Sequence, residues 1–537
     1  MTFDCPDAED TCLKNHPYRH ALSSAALTAD ECTPTVSGDL EKIDSRHHED
    51  DDHIDVNREH RPHGGDLTTH QLEQGGHDTD DYDLSLSPSH RTLSTSAYPG
   101  RAPSTLPERV ASRMSTSSSA LTFPEGGAQG WLAVAGSFCA MLSVFGIINS
   151  SAVFESYFSE HQLAHHNASE IGWIFSIYLF CVFFVGIQVG PIFDRYGARW
   201  LVAVGSILIV LSLMLLGLCT EYYQILLTYS VMGGLGGALL NSPAYGTIAH
   251  FFNARRGFAT GIATTAGGIG GIVFPIMLQK LLPRLGFAWS TRILGFILLG
   301  CAVPSNLWIR TRLPPRRQIN KPIGQSSLRT KITSVLPDFR VFRDKRFALA
   351  AMGIFFMEWG LFIPITFIVS YAAAHGKDAT NSYTLLSLLN AGSVAGRLLP
   401  GLMADRVGRF NVIIVTISLC CASVLGLWLP AGDSHAIIIA FAVVFGFASG
   451  SNLGLVPVCL GQLCDARDYA RYISTANFLA SFGTLSSVPV GGALLGDGGK
   501  DGWLALILFS GLSYCVALLC YVSARVLAVG WNLRTVF

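Results

Sequence analysis

The sequence predicts an all-α membrane protein of twelve transmembrane helices in two six-helix pseudo-repeats, preceded by a disordered N-terminal tail. Three observations predict it. Half of the residues are hydrophobic, only 14% are charged and the mean hydropathy is +0.39, whereas a soluble domain carries about 25% charge. From about residue 125 onward, apolar runs recur that are long enough to cross a bilayer, which takes about 20 residues. Finally, one eight-residue pattern occurs twice. Gly190-Pro191-Ile192-Phe193-Asp194-Arg195-Tyr196-Gly197 and Gly401-Leu402-Met403-Ala404-Asp405-Arg406-Val407-Gly408 both read G-x-x-x-D-R-x-G, 211 residues apart. Each copy ends one apolar run and precedes the next, so the membrane part reads as an internal duplication, an architecture of many secondary transporters.

Residues 1–124 are rich in Ser, Thr, Asp, His and Pro and show no apolar period, as in Glu49-Asp50-Asp51-Asp52-His53 and Ser115-Thr116-Ser117-Ser118-Ser119. Such a stretch buries too little apolar surface to offset its ordering entropy and is expected to be a disordered cytoplasmic tail. It holds ten of the 16 histidines. A solvated tail is favoured over a metal buffer, because no ligand spacing is evident. The 13 cysteines include no C-x-x-C pair and read as small apolar packing residues.

The apolar runs start near Trp131, Ile171, Trp200, Ile225, Phe258 and Arg292, and then near Phe347, Ser382, Asn411, Ala436, Tyr472 and Trp503. The expected organisation is a six-helix bundle over 125–310, a basic cytoplasmic loop over 311–346, a second bundle over 347–530 and a cytoplasmic C-terminus over 531–537. Charge sets the expected orientation, because short cytoplasmic loops are rich in Lys and Arg. Even-numbered connections carry Arg195 and Arg199, Arg255 and Arg256, Arg406 and Arg409, and Arg467 and Arg471. Odd-numbered connections are poorer, apart from Lys280 and Arg284 in the fifth. Even loops and both termini are therefore expected in the cytoplasm. Asn167-Ala168-Ser169 is a glycosylation sequon in the first outward loop, with Asn167 the candidate acceptor.

This parity puts both copies of the repeated motif on the cytoplasmic face. Gly190 and Gly401 would let a neighbouring helix approach closely. Asp194 and Asp405 sit where a carboxylate can meet a helix N-terminus or a nearby Arg, and Arg195 and Arg406 can serve as gate ion-pair partners. Gly197 and Gly408 close the two motifs. Together the eight residues are the candidate conformational gate. The pattern resembles the loop motif of the major facilitator superfamily, and the resemblance covers roughly residues 125–530. It implies the 6+6 layout and transport by alternating access.

Two further stretches narrow the resemblance. Glu125-Gly126-Gly127-Ala128-Gln129-Gly130-Trp131 looks like the acidic-Gly-Gly…Trp motif that leads into the first span of the monocarboxylate transporter family. Phe251-Phe252-Asn253-Ala254-Arg255-Arg256-Gly257-Phe258-Ala259-Thr260-Gly261-Ile262-Ala263 is similar to that family's span-five motif. The long N-terminus has a fungal look. Two positions depart. Animal proton-coupled members place a Lys where this chain has Asn149, and an Asp one turn before the span-eight Arg, where this chain has Ser393 before Arg397. The apparatus for proton–lactate symport is thus incomplete. The family also holds vitamin carriers, riboflavin carriers among them.

Ionisable residues inside spans are costly and usually functional. Glu358 in span seven is the candidate to take up a coupling proton or contact a polar substrate, with a hydrogen bond to a neighbouring helix the alternative. Arg397 in span eight is the candidate to pair with a carboxylate substrate or with Glu358, with snorkelling to the interface the alternative. The amides Asn149, Gln188, Asn241, Asn390, Asn452 and Asn477 are candidates to line a central cavity, with helix–helix hydrogen bonding the alternative for each. No Walker motif, nucleophile–base set or metal-ligand spacing is present, so the chain reads as neither an ATP-driven pump nor an enzyme, and no cofactor is expected. No basic patch with interleaved aromatics suggests a nucleic-acid partner. The expected partners are a small-molecule substrate, protons and the lipid bilayer, and the expected place is the plasma membrane, with vacuolar and vesicular membranes as alternatives. The expected function is secondary active transport of an organic anion or a fungal secondary metabolite. The alternatives are a riboflavin-like vitamin carrier and a non-transporting membrane nutrient sensor.

Overall fold

In the computed structural model, residues 122–313, 337–376, 379–496, 499–532 and 535–537 are described. The tail expected over 1–124 lies outside the described residues up to residue 121, and so does most of the central loop, 314–336. The described residues are helical, with no strand among them.

Eleven described helices are long and apolar enough to cross a membrane. One of them, Arg256–Trp308, has 53 residues, or about 80 Å at 1.5 Å per residue, against a hydrocarbon core of about 30 Å. It is two helices meeting at Gly286, whose φ of 74° and ψ of 173° are not helical. The described residues therefore make twelve crossings. We number them α1 (Gly127–Ile148), α2 (Ala168–Tyr196), α3 (Arg199–Leu216), α4 (Tyr222–Phe251), α5 (256–285), α6 (287–308), α7 (Lys345–Ala374), α8 (Ala379–Val407), α9 (Arg409–Trp428), α10 (His435–Leu460), α11 (Tyr469–Leu495) and α12 (Lys500–Val529).

The burial pattern is that of a protein dissolved in lipid. Large apolar side chains such as Trp200, Ile207, Val273, Phe296, Val415 and Leu519 face outward, while Asn241, Glu358, Arg397 and Asn452 are buried. With lipid outside, apolar contact alone does not drive helices together, and small residues that allow close backbone approach take over. Two helix pairs carry most of the contact between the six-helix halves: α2 packs along α11, and α5 along α8. Both pairs depend on glycine. A Cβ on Gly401 would lie 2.7 Å from the Gly257 carbonyl oxygen, and one on Gly190 would lie 2.6 Å from the Ser474 hydroxyl. Any larger residue would push the halves apart there.

Candidate functional site

A cavity lies where the halves meet. Its polar lining is Asn241 and Tyr245 from α4, Thr264 from α5, Glu358 from α7, Arg397 from α8 and Asn477 from α11, and Phe145 and Phe183 add aromatic walls. In this conformation the room for the centres of water molecules is about 50 Å³, space for a few waters. An organic substrate needs several hundred Å³, so the cavity must widen to load one.

Arg397 is 7% exposed and is pinned at one end. Its Nε donates to Ser393 Oγ at 3.3 Å and its Nη1 donates to the Thr264 carbonyl. The serine that replaces the expected aspartate is thus the arginine's own helical neighbour and bonds it without neutralising it. Nη2 makes no hydrogen bond to a described residue. Glu358, 5% exposed, has no ion-pair or hydrogen-bond partner among the described residues. The cavity therefore holds one carboxyl and one guanidinium, brought there by different helices. Asn149, Asn390 and Asn452 are placed elsewhere. Asn149 donates to the Gly267 carbonyl at 2.7 Å, and Asn390 to the Gly271 carbonyl at 3.4 Å. Asn452 accepts from Thr416 at 2.7 Å and meets Cys420 Sγ at 3.3 Å. These three amides tie helices together.

The two copies of the repeated motif make equivalent contacts between the halves. Asp194, at the end of α2, accepts from the backbone N–H of Arg471 at 2.9 Å, in the first turn of α11. Asp405, at the end of α8, accepts from the N–H groups of Gly257 and Phe258 at 2.8 and 2.9 Å, in the first turn of α5. Each carboxylate caps a helix of the opposite half, where unpaired N–H groups and the helix dipole favour negative charge. The last glycine of each copy supplies left-handed backbone, with φ of 86° at Gly197 and 109° at Gly408. A Cβ on Gly197 would meet Thr311 just after α6, and one on Gly408 would meet Phe537 after α12. The motif arginines are not part of the caps. Arg406 is exposed, and Arg195 lies 5.2 Å from the Tyr196 ring.

Sequence patterns did not single out the other contacts between the halves. Arg256, 1% exposed, donates to the Gly461 carbonyl at 2.9 Å and lies over the Tyr469 ring at 5.1 Å, both in the other half. Arg409 reaches back to the Asn253 carbonyl. Ser242 and Ser474 meet at 3.0 Å between α4 and α11.

The two lead-in stretches fit each other. The Glu125 carboxylate accepts from the N–H groups of Asn253, Ala254 and Arg255 at 2.8, 2.7 and 3.0 Å. Glu125, Gly126 and Gly127 all have positive φ, which turns the chain so that one side chain caps the whole α4–α5 connection. Trp131 packs on Phe252 and Phe258, with ring centroids 5.3 and 6.0 Å apart. Arg255 is exposed, and Gly261 lies against the Arg397 backbone. Asn167 is exposed just before α2, at the end of the molecule away from the motif.

The model of the Major Facilitator Superfamily matches residues 134–483. The chain belongs to the major facilitator superfamily. Its relatives include an MFS-type transporter of Penicillium oxalicum, 37% identical over 77% of this chain and 94% of that protein. The riboflavin transporter of Saccharomyces cerevisiae is 34% identical over 76% and 81%. An aspyridones efflux protein of Emericella nidulans is 34% identical over 72% and 76%. Among solved structures, the Escherichia coli fucose:proton symporter superposes with a TM-score of 0.56 at 17% identity, covering 73% of this chain and 98% of that one. The human organic anion transporter MFSD10 gives 0.57 at 12%, covering 74% and 100%. At those identities the structures share the fold alone. This major facilitator protein is a multi-pass membrane secondary transporter and not an enzyme.

Proposed function

We propose that this transporter moves a small organic anion or an acidic metabolite by alternating access, with Glu358 as the proton carrier and Arg397 as the anion anchor. The observation that carries the reading is their arrangement: an unpaired carboxyl and a half-occupied guanidinium, both buried, in one cavity between the halves. A carboxyl inside a span is costly to keep without a task, and relaying a proton is one such task. The Asp194 and Asp405 caps are the gate on the arginine-rich face, which the charge distribution assigns to the cytoplasm. Both termini lie on that side, and the plasma membrane is the host membrane. The lead-in motif held by Glu125 supports membership of the monocarboxylate-transporter-like branch.

The test is flux in proteoliposomes across a panel of organic acids and fungal metabolites, with and without a proton gradient. Gradient-stimulated flux of at least one compound is expected. No flux of any panel compound by folded protein would overturn the reading. A vitamin carrier is the second reading, favoured by the similarity to the yeast riboflavin transporter, and riboflavin belongs in the panel for that reason. The similarity to the aspyridones efflux protein supports export, which inside-out vesicles read directly.

A further inference from the structure

Among the cavity residues that the proton and anion chemistry leaves unused, the most deeply buried amide is Asn241. Asn241 on α4 is 3% exposed, and its Oδ1 is buried without any hydrogen-bond partner among the described residues. Its Nδ2 donates to no described residue either. A primary amide offers two donors and an acceptor, and leaving such a group unpaired in a buried place costs about 1–3 kcal/mol. Among the other buried asparagines, Asn452 is bonded at both ends and Asn390 reaches the Gly271 carbonyl; the amide oxygens of Gln162 and Gln462 are also unpartnered, but neither residue lines the cavity. Asn241 stands out because it lies on the cavity wall with Glu358 and Arg397.

We infer that the Asn241 amide reads a donor–acceptor pair on the substrate, of the kind a lactam or cyclic imide carries, while Arg397 takes a second, acidic oxygen of the same molecule. A substrate N–H would donate to Oδ1 and the adjoining carbonyl would accept from Nδ2, so both ends of the amide are used at once. A simple carboxylate anion presents acceptors only. It can occupy Nδ2 and the free Arg397 Nη2, but it leaves Oδ1 unpaired. The cavity therefore favours acidic N–H heterocycles over plain monocarboxylates. Phe145 and Phe183 in the wall suit a flat ring. This inference rests on the transport reading above and names the substrate class of the same cavity.

The experiment measures binding by calorimetry to the full-length protein in detergent, together with flux in proteoliposomes. The probes are riboflavin, a hydroxypyridone and tetramic acid, each paired with its lactam or imide N-methyl derivative, and benzoate as an acid without a donor. N-methylation is expected to weaken binding of at least one heterocycle about tenfold or more, because it leaves Oδ1 unpaired again. In Asn241→Ala and Asn241→Leu that preference is expected to fall below about threefold, while benzoate, which loses only its contact to Nδ2, weakens less than the N–H heterocycle does; whichever variant is monodisperse gives the reading. Equal binding of the N–H and N-methyl forms to wild type would overturn the inference, as would a tenfold preference that survives in the variants. If no heterocycle binds while other acids are transported, the inference fails and the transport reading stands. If nothing in either panel moves, the transport reading itself fails.

Discussion

Glu358 and Arg397 occupy one cavity yet make no contact with each other within ion-pair distance, and this separation decides what each can do. A closed ion pair would be inert toward substrate, because breaking a buried pair costs several kcal/mol. Apart, each keeps a free valence. Glu358→Gln is expected to leave substrate binding within about threefold and to remove the pH dependence of flux; a pH profile of uptake for the two proteins checks it, and a retained profile would move the proton elsewhere. Arg397→Lys keeps the charge but loses the fork that holds Ser393 and the Thr264 carbonyl together. A lysine cannot span both and still face the cavity, so flux should fall about tenfold or more with the protein still folded, read as initial rate per reconstituted molecule. Glu358 and Arg397 were legible in the sequence because charge inside an apolar run is rare. Tyr245 and Thr264 were not, because a polar side chain in a span carries no mark that says whether it faces a cavity or a neighbouring helix.

At the scale of helices, the duplicated motif works as a pair of caps that cross between the halves. A carboxylate cap contributes about 0.5–2 kcal/mol, enough to bias two states that differ by a few kcal/mol. Asp194→Asn and Asp405→Asn are each expected to shift the population toward the form open on the capped face. Thiol labelling of a Ser474→Cys reporter should quicken by severalfold in either background, and an unchanged rate would remove the caps from the gating scheme. Gly401→Val acts on the same joint by bulk, since its side chain would run into the Gly257 carbonyl. It should give labelling faster than either cap variant. The motif glycines and aspartates could be picked out from their repetition alone, but their partners could not. Asp194 finds Arg471 across 277 positions, and no local pattern predicts such a pairing.

Across the whole molecule, α2–α11 and α5–α8 hold the two halves together, and the proposed alternating access requires the halves to separate on the capped face. The Ser242–Ser474 contact spans that joint. A Ser242→Cys/Ser474→Cys double variant treated with a mild oxidant is expected to lose flux and to regain it with dithiothreitol, while wild type treated alike keeps its rate. Flux unaffected by a formed cross-link would mean that the halves need not part there. Residues 1–121 lie outside the described residues, and the sequence reads them as a solvated tail. Removing residues 1–121 should leave the proteoliposome rate within about twofold, and loss of flux would favour the tail as part of a sensor or an obligatory regulator.

The twelve crossings, the duplication and the positions of the charged residues were determined by the sequence alone, because lipid imposes a length and a composition on every span. Arg256–Trp308 was resolved into two spans by the apolar runs starting at Phe258 and Arg292, and in the structure Gly286 makes the break. Only the tertiary structure decided which amides line the cavity and which tie helices, as the contrast of Asn241 with Asn452 shows. It also decided that Asp194 and Asp405 cap helices of the opposite half, and that Arg256, a family-motif residue in the sequence, is a strut between halves. The physical reason is the same in each case. Spanning a membrane is a local property of about twenty residues, whereas a hydrogen-bond partner in a bundle is chosen by how helices distant in the chain come to lie side by side.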